Sequence, residues 1–538
     1  MIHKTLSILS LLLMILFSGC DEINSDQNMI QNTEPQEERV YTAQTGGTLH
    51  ISMRNPQTLN PILNEDATVD TMLRLVFEHL FIPDENLKAI PNLAESVEFS
   101  EDGTYAVLTL RDDVVWSDGT PMRANDVIFT LDKIRDNPQS IYAQVTQTIE
   151  SYSIINQSTI RVNFNTSSRG QGDMFLFPII PQHYYSGQTD PASERNMRPL
   201  GNGPFMFESH TLVREVVLTS NPMSFRPPYI ETVHVLIISD IETEFHALGN
   251  GIIAVLGANI LDFGRYGGTR ELNITSVPKY HFDFIGFNFE NSIFDDKRVR
   301  QAVAYTLPKD EFVDAVYLGQ AVRATSPINP MSWIYEENTR RHNIDLESAR
   351  NLMAESYYIE ISSNGSLENI TTEESTPLVF RVLVNEENTE RVQIATTLKQ
   401  NLEAIGVTVE FMVYDFEQYM EHIKSRNFDL ALAGLNLGLM SDLRFLLHSS
   451  QIEYSNFMSY SSRIVDMLLT QAINALDEET YKEIMSNLQK YIGEELPIIS
   501  IAFRTGVLLT DPSIRGELAP GLNNIYQNID QWFIVQER

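Results

Sequence analysis

The 538-residue sequence contains one cysteine, few basic residues and no long hydrophobic run. A single cysteine excludes an internal disulfide framework. The 38 Lys and Arg residues face 72 Asp and Glu residues, and the formal net charge of −34 opposes binding to nucleic acid and to anionic membrane surfaces. The most apolar stretch, residues 6–17, is too short to cross a bilayer as a helix.

Motifs of common enzymes are also missing. The chain has no HExxH motif, no Gly-Lys pair of a P-loop and no G-x-S-x-G elbow, and its 11 histidines lack metal-ligand spacing. Hydrolase and nucleotide chemistry are therefore disfavoured. We expect a protein that is not an enzyme and that uses no cofactor and no metal.

The composition is that of a folded protein. Hydrophobic residues make up 43% of the chain and charged residues 20%, as in ordinary globular proteins. Because single hydrophobic cores stop growing near ~250–300 residues, the length predicts two or three domains.

The N-terminal segment has the pattern of a secretory signal. Lys4 precedes the apolar stretch, and the small residues Ser18 and Gly19 precede the only cysteine, Cys20. Residues 20–45 are polar and lack apolar periodicity, which predicts a disordered tether. The interpretation is a signal peptide at residues 1–19 followed by a tether.

Helix and strand patterns alternate through the rest of the chain, which favours an α/β fold. Helices are predicted at Val69–Leu80, Asp126–Ile134, Lys297–Leu307, Leu346–Ala354, Thr389–Ile405, Phe416–Ser425 and Glu478–Ile492. Strands are predicted at Tyr105–Leu110, Thr159–Phe164, Glu215–Thr219, Thr232–Ile238, Leu378–Val384, Thr408–Val413 and Phe428–Ala433. The polar segment Ser362–Thr376 is predicted to be a surface loop.

Two charged stretches could belong to a site or to the scaffold. In RDDVVWSDGTPMRANDVIFTLDKI, Asp118 stands in a turn sequence and Asp126 at a helix start, so a structural role is favoured for both. In FDDKRVRQAVAYTL, Asp295 or Asp296 caps a helix, and Arg298 and Arg300 need only form a solvated face.

At these stretches the chain resembles a known family. PNLAESVEFSEDGTYAVLTLRDDVVWSDGTPMRANDVIFTLDKI is similar to the signature of the extracytoplasmic solute-binding proteins of ABC transporters, in the oligopeptide, dipeptide and nickel class. The segments GGTLHISM, LGNGPFMFE, FNFENSIFDDKRVRQAVAYTLPKDEFV, DLESARNLMAESYY, NFDLALAG and ELPIISIAF follow in the family's order. The resemblance covers nearly the whole chain after residue 45, and LFSGC resembles a lipobox, which implies lipidation of Cys20.

The resemblance implies a two-lobed, periplasmic-binding-protein-like clamp of type II, with an extra subdomain inserted in the first lobe. By the order of the motifs, lobe 1 would comprise residues 46–75, 197–283 and 504–538. Its insert would be residues 76–196, and lobe 2 residues 284–503. Ligand would lie between the lobes.

Peptide-binding members of the family hold an extended ligand through main-chain groups, here those of Ala433, Gly434, Leu435 and Asn436. The same relatives carry a Trp at the position of Leu435 and an amino-binding Asp three residues later. This chain has Gly438 there. Recognition of a free ligand N-terminus therefore needs another residue.

The family's second ligand segment precedes the first helix and corresponds to residues 64–68. Glu65, Asp66 and Thr68 are candidate ligand-binding residues, although Asp66 or Thr68 could instead cap the helix. Asn288, in the FNFENS segment, is a further candidate ligand-binding residue.

These observations favour a monomeric solute-binding protein outside the cytoplasm, anchored to the cell membrane by lipid on Cys20. It would capture a peptide-like ligand between its lobes and deliver it to the permease subunits of an ABC importer. The alternative is a peptide-sensing or adhesin lipoprotein that uses the same clamp without transport. An extracytoplasmic hydrolase is a third class, and no motif supports it.

Overall fold

The computed structural model describes residues 41–165, 172–187, 190, 193–259, 262, 270–363, 366–371, 375–439, 442–522 and 524–535. The predicted signal peptide, Cys20 and most of the predicted tether lie outside these ranges. The chain divides into two units after Thr42, and every element below belongs to the second, which starts at Ala43. Within the described ranges, no helix is both long and apolar enough to cross a membrane.

The strands are mostly short and alternate buried with exposed positions, as expected for sheets with one face on a core. They are β1 (Thr48–Met53), β2 (Phe81–Pro83), β3 (Ala89–Pro91), β4 (Ala94–Phe99), β5 (Tyr105–Leu110), β6 (Ile149–Asn156), β7 (Thr159–Phe164), β8 (Phe205–Thr211), β9 (Glu215–Ser220), β10 (Thr232–Ile237), β11 (Val255–Ala258), β12 (Asn273–Phe287), β13 (Ala321–Arg323), β14 (Ile359–Ile361), β15 (Leu367–Asn369), β16 (Thr376–Pro377), β17 (Val379–Asn385), β18 (Thr408–Tyr414), β19 (Leu430–Asn436), β20 (Ile498–Thr510), β21 (Ile514–Arg515) and β22 (Phe533–Ile534).

The helices are α1 (Ala67–Leu73), α2 (Ala124–Asp136), α3 (Gln182–Tyr185), α4 (Ile241–Gly249), α5 (Lys297–Tyr305), α6 (Lys309–Glu311), α7 (Leu346–Ala354), α8 (Thr389–Ala404), α9 (Phe416–Lys424), α10 (Arg444–Leu447), α11 (Arg463–Ile473) and α12 (Glu478–Glu495). Most of the longer helices begin after an Asp, Asn or Ser whose side chain accepts a hydrogen bond from a first-turn N–H. These caps are Asp66, Asp240, Asp296, Asp345, Asn388, Asp415, Ser462 and Asp477.

The largest sheet has the order β11-β20-β12-β19-β17-β18, with β13 also paired to β20. Two four-stranded sheets have the orders β1-β10-β9-β8 and β4-β5-β7-β6. β1 runs parallel to β10, and β17 runs parallel to both β18 and β19, whereas β12 is antiparallel to β19 and β20. Mixed sheets with helices between their strands make this an α/β fold.

Strands β12 and β20 pair in two stretches that an irregularity separates. Residues 273–278 pair with residues 505–510, and residues 282–286 pair with residues 498–503. Register shifts lie between Pro278 and Phe282 and between Asp283 and Phe284. Because bulges bend a strand and increase its twist, both strands change direction here.

The buried apolar side chains form several clusters. The largest draws on residues 49–255 and adds Val277, Leu508 and residues 514–532. Two others draw on residues 282–503 and lie on opposite faces of the largest sheet: Phe282 belongs to one and Ile285 to the other. This partition supports a two-lobed division, whose boundaries stay a prediction. The predicted insert shares one continuous core with the predicted first lobe.

Most predicted elements are present, some with the predicted bounds, and two predictions are wrong in part. The predicted helix Val69–Leu80 ends at Leu73, because the carbonyls of Leu75 and Val76 accept hydrogen bonds from Phe205 and Gly203 instead of from the next helical turn. The segment Ser362–Thr376 is not wholly a loop. It contains β15, whose Leu367 is buried in the core.

Asp118 and Asp126 of the charged stretch have structural roles, as predicted. Asp118 accepts a hydrogen bond from the Thr120 N–H at 2.9 Å and contacts the His183 ring at 2.8 Å. Asp126 is buried and accepts from the Arg123 and Gln182 N–H groups at 2.9 and 2.8 Å. Burial raises the pKa of Asp126, although these hydrogen bonds act in the opposite direction.

The prediction that Arg298 and Arg300 form a solvated face of α5 is wrong for Arg300. Asp296 caps the helix and pairs with Arg298, but Arg300 is buried. Its guanidinium donates to the carbonyls of Phe294 and Glu495, and so joins α5 to the end of α12. Five fixed donors let one arginine satisfy several buried carbonyls.

Candidate ligand-binding cavity

A cavity of about 1590 Å³ lies between elements of the largest cluster and elements that follow residue 282. Thr71 of α1 and Tyr526 line it from the first group, and Asn436 of β19 and Leu443 line it from the second. Tyr280 of β12 lies on its wall, at the bend between the two groups.

The predicted loop before α1 lies on this cavity. Glu65 and Thr68 line it, whereas Asp66 does not. The Asp66 carboxylate accepts hydrogen bonds from the N–H groups of Thr68 and Val69 at 2.8 and 3.1 Å and from the Thr68 hydroxyl at 2.6 Å. Burial raises the pKa of Asp66, but these hydrogen bonds outweigh it and lower that pKa. Asp66 is thus the helix cap that the sequence allowed.

The predicted main-chain segment lies at the end of β19. This strand pairs with β12 along its length but with β17 only at Leu430 and Ala431, so no strand of the described part of the chain pairs with its second edge from Leu432 onward. The Tyr419 hydroxyl donates to the Leu432 carbonyl at 2.9 Å. Asn436 lines the cavity and contacts the His281 ring at 3.0 Å, whereas residues 433–435 do not line it.

Asn288 lies elsewhere. Its buried side-chain amide donates to the carbonyls of Arg426 and Phe428 at 2.9 and 3.0 Å, and it does not line the cavity. This geometry gives Asn288 a role in holding the chain before β19. Ligand contact by Asn288 stays a prediction that the cavity does not favour.

Most acidic groups on the cavity wall already have partners. Asp70 accepts from Arg74 at 3.1 Å and from the Tyr142 hydroxyl at 2.8 Å. Glu78 forms a bidentate contact with Arg226 at 2.8 Å and also accepts from Asn92. Because these carboxylates already have partners, they are less available to bind a charged group of the ligand.

Two wall residues that sequence reasoning missed have no such partners. Within the described residues, neither Asp173 nor the Lys279 ammonium lies within ion-pair distance of an opposite charge. Burial raises the pKa of Asp173 to about 7 and lowers the pKa of Lys279. Both groups therefore favour a ligand that brings the missing charge.

A satisfied ion network lies on β12 beside the bend. The fully buried Asp283 carboxylate accepts from Arg391 at 2.8 Å, from Arg504 at 2.6 Å and from the Tyr317 hydroxyl at 2.9 Å. His281 lies 3.5 Å away. Burial alone would raise the pKa of Asp283, but the contacts with His281 and the two arginines hold it well below its usual range.

The described residues do not form a metal centre. They contain no group of three or more His, Cys, Asp or Glu side chains placed to hold a metal ion. The cavity wall instead combines apolar surface, hydroxyl groups and a few charges, which is the usual character of a ligand pocket.

The sequence profile of the bacterial extracellular solute-binding proteins, family 5, middle region, matches residues 88–453. The chain belongs to this family. The oligopeptide-binding protein AppA of Bacillus subtilis is 23% identical over 92% of this chain and 92% of its own. The crystal structure of the ABC transporter substrate-binding protein CtaP of Listeria monocytogenes has a TM-score of 0.76 at 22% identity, over 92% of this chain and 100% of that one. AppA of B. subtilis in complex with a nonapeptide has a TM-score of 0.62 at 22% identity, with the same coverage.

Membership in the family 5 solute-binding proteins confirms the predicted fold class and the predicted class of function. The chain is an extracellular-type solute-binding protein rather than an enzyme. The two-lobed, periplasmic-binding-protein-like architecture accounts for a cavity bounded by two groups of elements.

Proposed function

We propose that this family 5 solute-binding protein captures a peptide-like ligand in the 1590 Å³ cavity and delivers it to the permease subunits of an ABC importer. The cavity volume carries the proposal, because pockets for small molecules usually measure ~300–1,000 Å³. A space of this size suits a ligand of several residues. The relative AppA is named for oligopeptide binding and has been crystallised with a nonapeptide.

We assign direct ligand contacts to Glu65, Thr68 and Asn436, which line the cavity from both sides. Asp66 would act by holding the loop through its hydrogen bonds to the start of α1. At the end of β19, main-chain groups would be offered first by Asn436, because Asn436 lines the cavity whereas residues 433–435 would need the clamp to close to reach the ligand. Pairing through the main chain is indifferent to ligand side chains and suits broad specificity.

Closure of the clamp would take place at β12 and β20. Both strands pass from one group of core residues to the other, and their register shifts at residues 278–284 provide the bend. Hinges are short segments of this kind, which absorb backbone rotation while the domains stay rigid.

Native mass spectrometry of the purified mature protein tests the binding step. We expect a monomer that retains peptides, and uptake of those peptides by cells should be lost when the protein is deleted. Retention of peptides without any loss of uptake would favour the sensing or adhesin alternative. Release of shortened peptides would instead indicate an enzyme.

The lipid anchor is a separate part of the proposal. Cys20 follows an apolar stretch and precedes a polar segment, so Cys20→Ser should move the protein from the membrane fraction to the medium or soluble extract. Ser18→Ala is a matched control that keeps the cysteine. A Cys20→Ser protein that stays with the membranes through a carbonate wash would exclude the anchor.

A further inference from the structure

Asp173 is held rigidly on the cavity wall. It lies in the short 3-10 turn Gly172–Phe175, whose Met174 and Phe175 side chains are buried in the largest cluster. The rings of Phe175 and Phe81 lie 5.3 Å apart, and a β-carbon at Gly172 would come within 3.1 Å of Phe81. Such close packing fixes the turn, so the carboxylate cannot easily move away to find a partner.

Asp173 differs from the other acidic groups on the wall. Glu65 and Asp442 are exposed, and Arg444 holds Asp442 through bidentate contacts at 2.7–3.0 Å. Glu244 accepts from the Ser52 hydroxyl at 2.7 Å. The remaining acidic groups, Asp70, Glu78, Asp262 and Asp530, also accept hydrogen bonds. Among the described acidic residues of the wall that are shielded from solvent, Asp173 alone has no donor.

Among the described residues, the groups that act electrostatically on or through Asp173 do not supply a free cation. The electrostatic field of Asp173 reaches Tyr280 of β12 and Tyr481 of α12, and with burial it raises the pKa of both phenols. Arg74 also acts on Tyr280, but it is already paired with Asp70. Asp442 acts on Tyr481 and adds negative charge. A carboxylate that has no partner among the described residues and acts only on neutral phenols is suited to a cationic group.

We propose that Asp173 binds the ammonium group of the ligand, a role that Gly438 has no side chain to perform. This inference rests on the proposed capture of peptide-like ligands. The ammonium group is either the ligand's N-terminus or a lysine side chain, and the chemistry at Asp173 is the same for both. A carboxylate that is partly buried with no partner among the described residues costs free energy, and an incoming cation reduces that cost.

The proposal predicts a pH dependence. Because burial raises the pKa of Asp173 to about 7, the group is partly protonated at neutral pH, and a bound ammonium favours the ionised form. Affinity should rise between pH 6 and pH 8, with release of about half a proton per ligand at pH 7. Above pH 8 a ligand held by its α-amino group (pKa about 7.7–8.0) should bind more weakly. A ligand held by lysine (pKa about 10.4) should not.

The test uses two pools of random octapeptides, one with free and one with acetylated N-termini, and native mass spectrometry to find a retained peptide. Calorimetry on one such peptide then compares the wild type with Asp173→Asn, using the free form, the acetylated form and a form with norleucine in place of lysine. In the wild type, we expect removal of one of the two ammonium groups, by acetylation or by norleucine, to lower the affinity at least tenfold. In the Asp173→Asn protein, this difference in affinity should disappear. Asp113→Asn, at an exposed carboxylate outside the cavity lining, is the matched control.

The outcomes distinguish failure of the proposed function from failure of the ammonium site alone. If the wild type retains no peptide from either pool, the proposed function fails and the ammonium site fails with it. If it retains peptides and a folded Asp173→Asn protein keeps the wild-type preference, only the ammonium site is overturned. Calorimetry of the wild type in buffers of different ionisation enthalpy gives a readout that needs no variant, and zero proton release at pH 7 would overturn the predicted pH dependence.

Discussion

Asp283 on β12 is fully buried and Asp173 on the cavity wall is partly buried, yet burial has opposite outcomes in the two regions. Asp283 has two arginines and a tyrosine as partners, and the pKa of its carboxyl is held low. Asp173 has none among the described residues, and burial raises its pKa to about 7. The charge state of these carboxyl groups therefore depends on their hydrogen-bond and ion-pair partners rather than on how deeply they are buried. A paired buried charge belongs to the scaffold, whereas an unpaired one beside a cavity points to a ligand.

The largest effect on stability is expected when the charge of Asp283 is removed. Asp283→Asn removes the counter-ion of the buried Arg391 and leaves the half-buried Arg504 with Glu390 as its remaining ion-pair partner, and we expect a loss of about 3–5 kcal/mol in the free energy of unfolding at pH 7, measured with urea. Because the folded-state pKa is lowered, the stabilisation is present above about pH 4 and is lost as the pH falls through the folded value. A loss below 1 kcal/mol would mean that the network is not structural.

The packing around the same network gives a second, smaller effect. A β-carbon at Gly434 would come within 1.7 Å of the Arg391 guanidinium and 2.8 Å of the Asp283 carboxylate, so Gly434→Ala should destabilise by about 1–3 kcal/mol. Nothing lies within 4 Å of a β-carbon at Gly438, and Gly438→Ala is the matched control. Equal midpoints of urea unfolding for the two variants would contradict this prediction.

For Asp173, removal of the charge should stabilise the folded protein, whereas removal of the Asp283 charge destabilises it. The unfolded carboxyl titrates near its ordinary value, whereas burial raises the folded pKa to about 7, so ionisation destabilises the fold increasingly from about pH 4 and fully above pH 7. Asp173→Asn should therefore raise the melting temperature of the unliganded protein at pH 8, by an amount equivalent to about 1–3 kcal/mol after allowance for partial exposure. The gain should disappear near pH 4. A lower melting temperature at pH 8 would show that Asp173 has a structural partner.

The smallest effect is expected at Asp118. Its contacts with Thr120 and His183 lie at the surface, so Asp118→Asn should change the stability by less than about 1 kcal/mol and leave ligand affinity within a few-fold. Calorimetry with a retained peptide measures the affinity. A large loss in a folded variant would make this aspartate part of the site.

Local patterns predicted much of the fold because they act through nearest neighbours. Helix α7 and strands β5 and β7 have the predicted bounds, and Asp66 and Asp296 cap their helices as capping chemistry requires. The predictions failed where a distant segment decides. Helix α1 stops early because residues 203–205 bind its next carbonyls, and Arg300 is buried because the end of α12 offers it acceptors.

The cavity residues divide in the same way. Glu65, Thr68 and Asn436 were predicted from a family resemblance, and the structure places them on the cavity. Asp173 and Lys279 were not predicted, because their significance lies in what they lack. The Asp in GQGDMF belongs to no motif and to no periodic pattern. Its lack of a partner among the described residues becomes visible only when the fold brings residues that are far apart in the chain together.

The course of β20 also bears on the order of folding. This strand supplies Leu508 to the core that begins at Leu49, and Tyr526 and Trp532 complete that core. The first core therefore cannot be finished until more than 500 residues have been synthesised. Contacts between such distant residues slow folding, because the loops must close before the contacts contribute. We expect the nascent chain to stay unfolded until late, which suits a member of an extracellular family that has to reach its final compartment before the two ends of its sequence meet.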